Sequence, residues 1–183
     1  LSEHPSPDGP TPQSAALPYR IRDGQVEILL VTPRGGTGWI IPKGKVNARL
    51  GPARSAAREA EEEGGVHGSI DRTPFGEYRH GGGGEGPRVA VFLMHVTREL
   101  TSWAEAHQRE RRWAGVDEVP GLVVDPALMQ VLHAASEHLA THAPALLAAE
   151  EARRARSRQR RLAGSALLLA AACGAAVLTF IAG

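Results

Sequence analysis

The spacing of apolar and polar residues divides the chain into segments of two different periods. Tyr19 to Arg22 and Val26 to Thr32 read as strands, with Asp23-Gly24 as the turn between them. Pro33 to Gly38 reads as a loop, and Trp39-Ile40-Ile41 as a short strand. The period then lengthens. Ala53, Ala56, Ala57 and Ala60 recur at helical spacing, with Pro52 suited to a first turn and Gly64-Gly65 to a C-terminal cap. Ser69 to Tyr78 supplies a further strand, and the glycine run 81–84 a flexible loop tip. In Arg88 to Thr97, Val89, Val91, Leu93 and His95 alternate with Ala90, Phe92 and Met94, so this strand is expected to be buried on both faces. Arg109 to Ala114 is another strand. Asp125-Pro126 caps a helix running to Leu139, Pro144 interrupts it, and Ala145 to Arg161 resumes as an exposed helix.

The two ends differ from this body. Residues 1–18 carry prolines, serines and acids but no apolar core of a signal peptide, and are expected to form a disordered leader. Residues 162–183 carry no charge, and as a helix would extend about 33 Å, enough for a hydrocarbon layer of about 30 Å. Six arginines between Arg153 and Arg161 precede that stretch. By the positive-inside rule they orient a membrane helix with the folded body in the cytoplasm. The expected organisation is therefore a leader (1–18), a folded domain (19–142), a basic juxtamembrane segment (143–161) and a transmembrane helix (162–183), with membrane lipid as a partner.

Charge and cysteine content narrow the chemistry. The net charge is +1, but the last 33 residues hold six arginines against the single acid Glu151, which leaves the body net acidic. No nucleic-acid partner is expected of such a body. Cys173 is the sole cysteine, so no internal disulfide forms and a reducing compartment is implied. The only lysines, Lys43 and Lys45, flank Gly44. His138 and His142 share helical spacing, but without a third ligand they make no zinc set.

Glu59, Glu62 and Glu63 stand at i, i+3 and i+4, on one face of the helix that also carries the alanine stripe. One face packs on a sheet while the other gathers negative charge. That is unfavourable unless a cation sits there, and a hard divalent ion such as Mg²⁺ suits oxygen donors.

The run from Gly44 to Val66 resembles the signature box of the Nudix hydrolases. Gly44, Arg58-Glu59, Ala60, Glu62-Glu63, Gly65 and Val66 fall in register, while Leu50 stands where the family has its first Glu. In the family that Glu braces the loop through the box arginine, so the departure bears on loop rigidity more than on metal binding. The resemblance implies a Nudix α/β/α sandwich with a mixed sheet and a hydrolase that uses Mg²⁺, with Mn²⁺ as the alternative. Glu59, Glu62 and Glu63 would hold the metal, and Arg58 would orient the carboxylates.

Trp39-Ile-Ile-Pro-Lys-Gly44, the strand from Arg88, Trp103 and Arg109-Glu-Arg-Arg-Trp113 follow the order of the diphosphoinositol polyphosphate and diadenosine polyphosphate phosphohydrolases. By that likeness Arg34, Lys43, Lys45, Arg88 and Arg109 would bind substrate phosphates, and a phosphoanhydride of a nucleoside- or inositol-linked polyphosphate would be cleaved. Glu77 and Glu105, outside the box, are expected as surface charges more than as an extra ligand or base. The competing reading is a membrane-tethered module that binds a phosphorylated metabolite without cleaving it.

Overall fold

The computed structural model describes residues 12–81 and 86–181, from residue 160 onward by backbone alone. Among them seven strands form one sheet: β1 (Gln13–Arg22), β2 (Gln25–Val31), β3 (Lys43–Lys45), β4 (Val66–Ile70), β5 (Gly76–Arg79), β6 (Arg88–Glu99) and β7 (Arg111–Gly115). The main order is β4-β6-β1-β2-β7, with β3 paired to β1 and β5 to β6. β1 and β6 run parallel and the other pairs antiparallel, so the sheet is mixed. A parallel pair cannot be closed by a hairpin. The long connection between its members carries the helix α1 (Pro52–Gly64). A short α2 (Val119–Leu122) and a long α3 (Pro126–Ile181) complete the chain.

The alanine stripe fulfils its expected role. Ala56 and Ala60 are fully buried against Ala16, Leu29, Phe92 and Met94. Small side chains let the helix lie close to the sheet: a Cβ on Gly64 would come within 2.8 Å of Leu29 Cδ2. Ile28 and Leu30, on the opposite face of β2 from Leu29, are equally buried. In α3, Leu128, Leu132, Ala135 and Leu139 form a buried stripe at three- and four-residue spacing. Val131 packs beside Gly76, and the rings of Phe75 and His138 lie 5.3 Å apart. An α/β arrangement on a mixed sheet is thus present, as the resemblance implied.

Several boundaries differ from expectation. β1 begins at Gln13, inside the stretch read as a leader, because residues 13–19 pair with Val89–His95 of β6. β3 pairs with Gln13–Ala15 from the other side, so this segment is held by partners distant in the sequence on both edges. Trp39-Ile40-Ile41 forms a single bridge, Val31 to Ile40, and the ladder resumes at Lys43–Lys45 instead. The stretch from Ser69 to Tyr78 splits into β4 and β5, which pair with successive parts of β6. Asp23 and Gly24 form the expected two-residue turn, both with positive φ. Most of the glycine run 81–84 lies outside the described residues.

Pro144 lies inside α3 and does not end it. The chain divides there into two units, Leu1–Ala143 and Pro144–Gly183. Pro lacks the N–H needed in a helix interior, but the alanines and leucines around it are strong helix formers. Among the described residues no helix is long and apolar enough to cross a membrane. The side chains of the expected span, 162–183, lie outside the described residues, so the transmembrane helix and its lipid partner gain no support.

Candidate active site

α1 is placed by its two ends. Gly51 precedes Pro52 at the first helical position with φ 76°, and Gly65 closes the helix in the left-handed conformation, its N–H reaching the carbonyls of Ala60 and Glu61. The last carbonyls of the helix have further partners. Trp103 Nε1 donates to Glu63 O at 3.2 Å, and Arg111 Nη1 donates to the carbonyls of Gly64 and Gly65, each at 3.1 Å. The Arg111 guanidinium also lies 4.2 Å from the centre of the Trp103 ring. A cation at a helix C-terminus suits the dipole. The end of α1 that carries Glu62 and Glu63 is therefore held from outside.

The loop between β3 and α1 lacks the family glutamate at Leu50 and is held by other residues. Ser55, fully buried, donates from Oγ to Gly51 O at 2.7 Å and accepts from Asn47 N at 3.0 Å. The Asn47 carbonyl accepts from the backbone N–H groups of Leu50 and Gly51, and its Oδ1 from that of Arg49. These bonds brace the loop, and a polar residue four positions after a loop glycine is too common a pattern to have signalled them.

Glu63 is 5% exposed. Its Oε2 accepts from the backbone N–H of Lys43 at 3.1 Å, and its Oε1 pairs with Arg109 Nη2. Burial pushes its carboxyl up to about 7, against the opposing pull of Arg109 and the Lys43 N–H. Glu59 sits under Gly44, and its carboxyl is also raised, by burial first and then by the charge of Glu62. Arg58 reaches both neighbours, 3.7 Å from Glu59 and 3.4 Å from Glu62. Among the described residues no three acidic, histidine or cysteine side chains already stand grouped around a common point. Glu62 leans to Arg58 while Glu63 leans to Arg109.

Arg109 is the hub of the cluster. Besides Glu63 it donates from Nη1 to Thr32 O at 2.7 Å and from Nε to Glu105 Oε2 at 2.6 Å. Glu105, expected at the surface, is instead largely covered and paired with both Arg109 and Arg34. Burial alone would raise its carboxyl, but the hydrogen bonds from Arg109 and Arg34 outweigh that and hold it below the ordinary value. Arg34 is itself mostly exposed. Lys43 borders Glu63, and burial lowers its ammonium against the pull of that carboxylate. Lys45 is exposed.

Arg88 stands apart. It forms a two-point pair with Glu77, at 2.6 and 2.7 Å, and lines a different cavity with Arg79 and Gln13. The structure therefore brings Arg34, Lys43, Arg58, Glu59, Glu62, Glu63 and Arg109 together, adds Glu105, and leaves Arg88 and Glu77 outside.

The sheet, the glycine loop and the carboxylate helix beneath it define the class of the domain, and the comparisons agree. A family model described as the NUDIX domain matches residues 11–134, and the chain belongs to that family. It is similar to Nudix hydrolase 4 of Arabidopsis thaliana, 31% identical over 114 residues that cover 56% of this chain and 54% of the relative. It is also similar to diphosphoinositol polyphosphate phosphohydrolase 2 of Rattus norvegicus, 30% identical over 108 residues covering 58% and 59%. In fold it is similar to the crystal structure of C. elegans Ap4A hydrolase, with a TM-score of 0.60, 18% identity and coverage of 71% of this chain and 98% of the other. The chain spans about half the length of the plant relative.

Proposed function

We propose that this chain is a divalent-metal-dependent pyrophosphohydrolase that cleaves a phosphoanhydride bond in a nucleoside- or inositol-linked polyphosphate. The observation that carries the reading is the pair Glu59 and Glu63. Two carboxyls of one helix stand beneath the glycine strand, beside Arg109 and Lys43, where burial raises both above the ordinary range. Raised carboxyls of this kind mark charge that the protein leaves incompletely balanced, and such sites concentrate where chemistry is done.

The donor set fits Mg²⁺ or Mn²⁺: all oxygen, with few carboxylates, the remaining positions being left to water and substrate phosphates. Glu59 and Glu63 would hold the ion, with Glu62 released from Arg58 as a third donor. When bound, the ion neutralises phosphate charge and acidifies water. Arg109, Arg34 and Lys43 supply cations for the phosphates, and Arg58 keeps the carboxylates oriented. Arg88, paired with Glu77, lies outside this arrangement. The apolar stretch 162–183 behind its arginines supports a membrane tether for the same domain. High-salt and alkaline extraction of the full chain tests that tether, and release by salt alone would remove it.

The activity is tested by following phosphate and nucleotide release from diphosphoinositol, dinucleoside polyphosphate and nucleoside diphosphate-sugar compounds with Mg²⁺ or Mn²⁺. Turnover that requires the metal and is lost in Glu63→Gln supports the reading. Absence of turnover with every compound, while binding persists, would replace it with a non-catalytic binding module.

A further inference from the structure

Glu62 and Glu63 stand in the last turn of α1, and helix ends fray. The last four carbonyls of an α-helix have no partner within it. In α1 these belong to Glu61, Glu62, Glu63 and Gly64. That of Glu61 accepts from Gly65 N of the cap at 3.1 Å. The other three accept from one segment, the connection from β6 into β7. Glu105 N donates to Glu62 O at 3.0 Å, Trp103 Nε1 to Glu63 O at 3.2 Å and Arg111 Nη1 to Gly64 O at 3.1 Å. A further bond, from Leu100 N to Gly65 O at 2.8 Å, ties the start of the segment to the cap.

Two side chains of that segment form one unit. The Arg111 guanidinium stacks on the Trp103 ring, a cation–π contact. Its two terminal nitrogens spread over the carbonyls of Gly64, Gly65 and Leu100, and Glu99 stands 3.8 Å away. Gly65 is the seat of this unit. A Cβ there would lie 2.6 Å from Trp103 Cδ2 and 2.8 Å from Arg111 Nη1. Glycine is thus required twice at this position, for the left-handed φ of 64° and for the room it leaves to the indole.

We propose that Trp103 and Arg111 are positioning residues of the metal site. They hold the last turn of α1, and through its backbone they set the direction of the Glu62 and Glu63 carboxylates. An indole N–H and a guanidinium are donors only and have no lone pair to give a cation. Their contribution to cation binding therefore passes through the helix. The inference rests on the metal-dependent reading above and extends it from the carboxylates to the segment that orients them. Supports of this kind are worth about 10–100-fold in metal affinity.

Trp113 supplies the control. It too carries an arginine, with Arg20 4.1 Å from its ring centre, and it too donates from Nε1, but to the Glu99 side chain at 3.1 Å and not to α1. Changing either tryptophan to Phe keeps an aromatic ring and removes one indole N–H. On the full chain, Mn²⁺ alone is titrated by electron paramagnetic resonance, beside a thermal melt without metal. Trp103→Phe should weaken Mn²⁺ binding about tenfold, while Trp113→Phe keeps the wild-type affinity. A merely structural role would lower Tm in both variants without separating their metal affinities. Arg111→Lys keeps the charge but cannot span three carbonyls. It should weaken Mn²⁺ binding likewise, and it remains a valid test should Trp103→Phe fail to fold. Wild-type Mn²⁺ affinity in either folded variant, an equal loss in Trp113→Phe, or no Mn²⁺ binding by the wild type would overturn the inference. Metal binding needs no turnover, so the two ideas fail separately. A chain whose Mn²⁺ affinity depends on Trp103 but which hydrolyses nothing keeps the positioning role and loses the hydrolase. Turnover by the wild type, with Mn²⁺ affinity unchanged in Trp103→Phe, does the reverse.

Discussion

Gly44 lies so close against Glu59 that a Cβ at that position would overlap the glutamate's carboxyl group. The glycine stands in the middle of β3, with Lys43 and Lys45 on either side, and pairs across the sheet with Ser14. A strand interior disfavours glycine, so its presence records the close approach of backbone to carboxylate. Gly44→Ala is expected to displace Glu59 or the strand, lowering kcat about a hundredfold and stability by about 1–3 kcal/mol. Steady-state kinetics beside a urea melt check both.

Glu63→Gln keeps the size and shape of the side chain and should keep the fold, although its single amide oxygen can accept from only one of the two donors, the Lys43 N–H or Arg109. Activity should fall by more than the about 10–100-fold typical of losing a residue that only supports a ligand. Single-turnover rates at saturating Mg²⁺ are the measurement, and unchanged rates would remove Glu63 from the chemistry.

The same residue gives stability a pH dependence. With its folded-state carboxyl near 7 and its ordinary value at 4.5, the native chain holds an extra proton between those two pH values. This contribution is full below about 4.5 and is lost as pH rises through about 7; Glu59 acts in the same direction. Glu63→Gln should flatten the fall in Tm between pH 5 and pH 7.5. Mg²⁺ should raise the wild-type Tm more at pH 7.5 than at pH 5, because the ion selects the charged carboxylates.

Arg109 serves three acceptors with three different nitrogens, and both it and Glu63 are more than nine-tenths buried at the side chain. Arg109→Ala strands Glu63 and is expected to destabilise by about 3–5 kcal/mol. Arg109→Lys should recover little, since one ammonium cannot span Thr32, Glu63 and Glu105. Recovery to wild-type stability in the lysine variant would show that charge alone matters there.

Ser55→Ala removes the brace of the loop that carries Leu50 and leaves the Asn47 N–H without its partner. A loss of about 1–3 kcal/mol is expected, together with lower turnover as Lys43 and Gly44 loosen. Leu50→Glu restores the family residue and should change the wild type by only about 0–1 kcal/mol, but it should recover part of the turnover lost in Ser55→Ala by pairing with Arg58. A double-mutant cycle reads the coupling, and strictly additive effects would mean that the two braces are unrelated.

By itself the sequence determined whatever local periodicity encodes. The alanine stripe and the three glutamates of α1, the glycine cap at Gly65, the Asp23-Gly24 turn and the doubly apolar β6 all depend on neighbours a few residues away. Those patterns, with Gly44, Arg58 and the box spacing, were sufficient to point to the family. Tertiary structure alone decided the rest. Residues 13–18 become strand because β6 and β3 run on either side of them, and Glu105 leaves the surface because Arg34 and Arg109, far from each other in the chain, converge on it. Arg88 goes to Glu77 because β5 and β6 are paired in that register. Electrostatic partners and cavity walls are set by contacts distant in sequence, which no local spacing specifies.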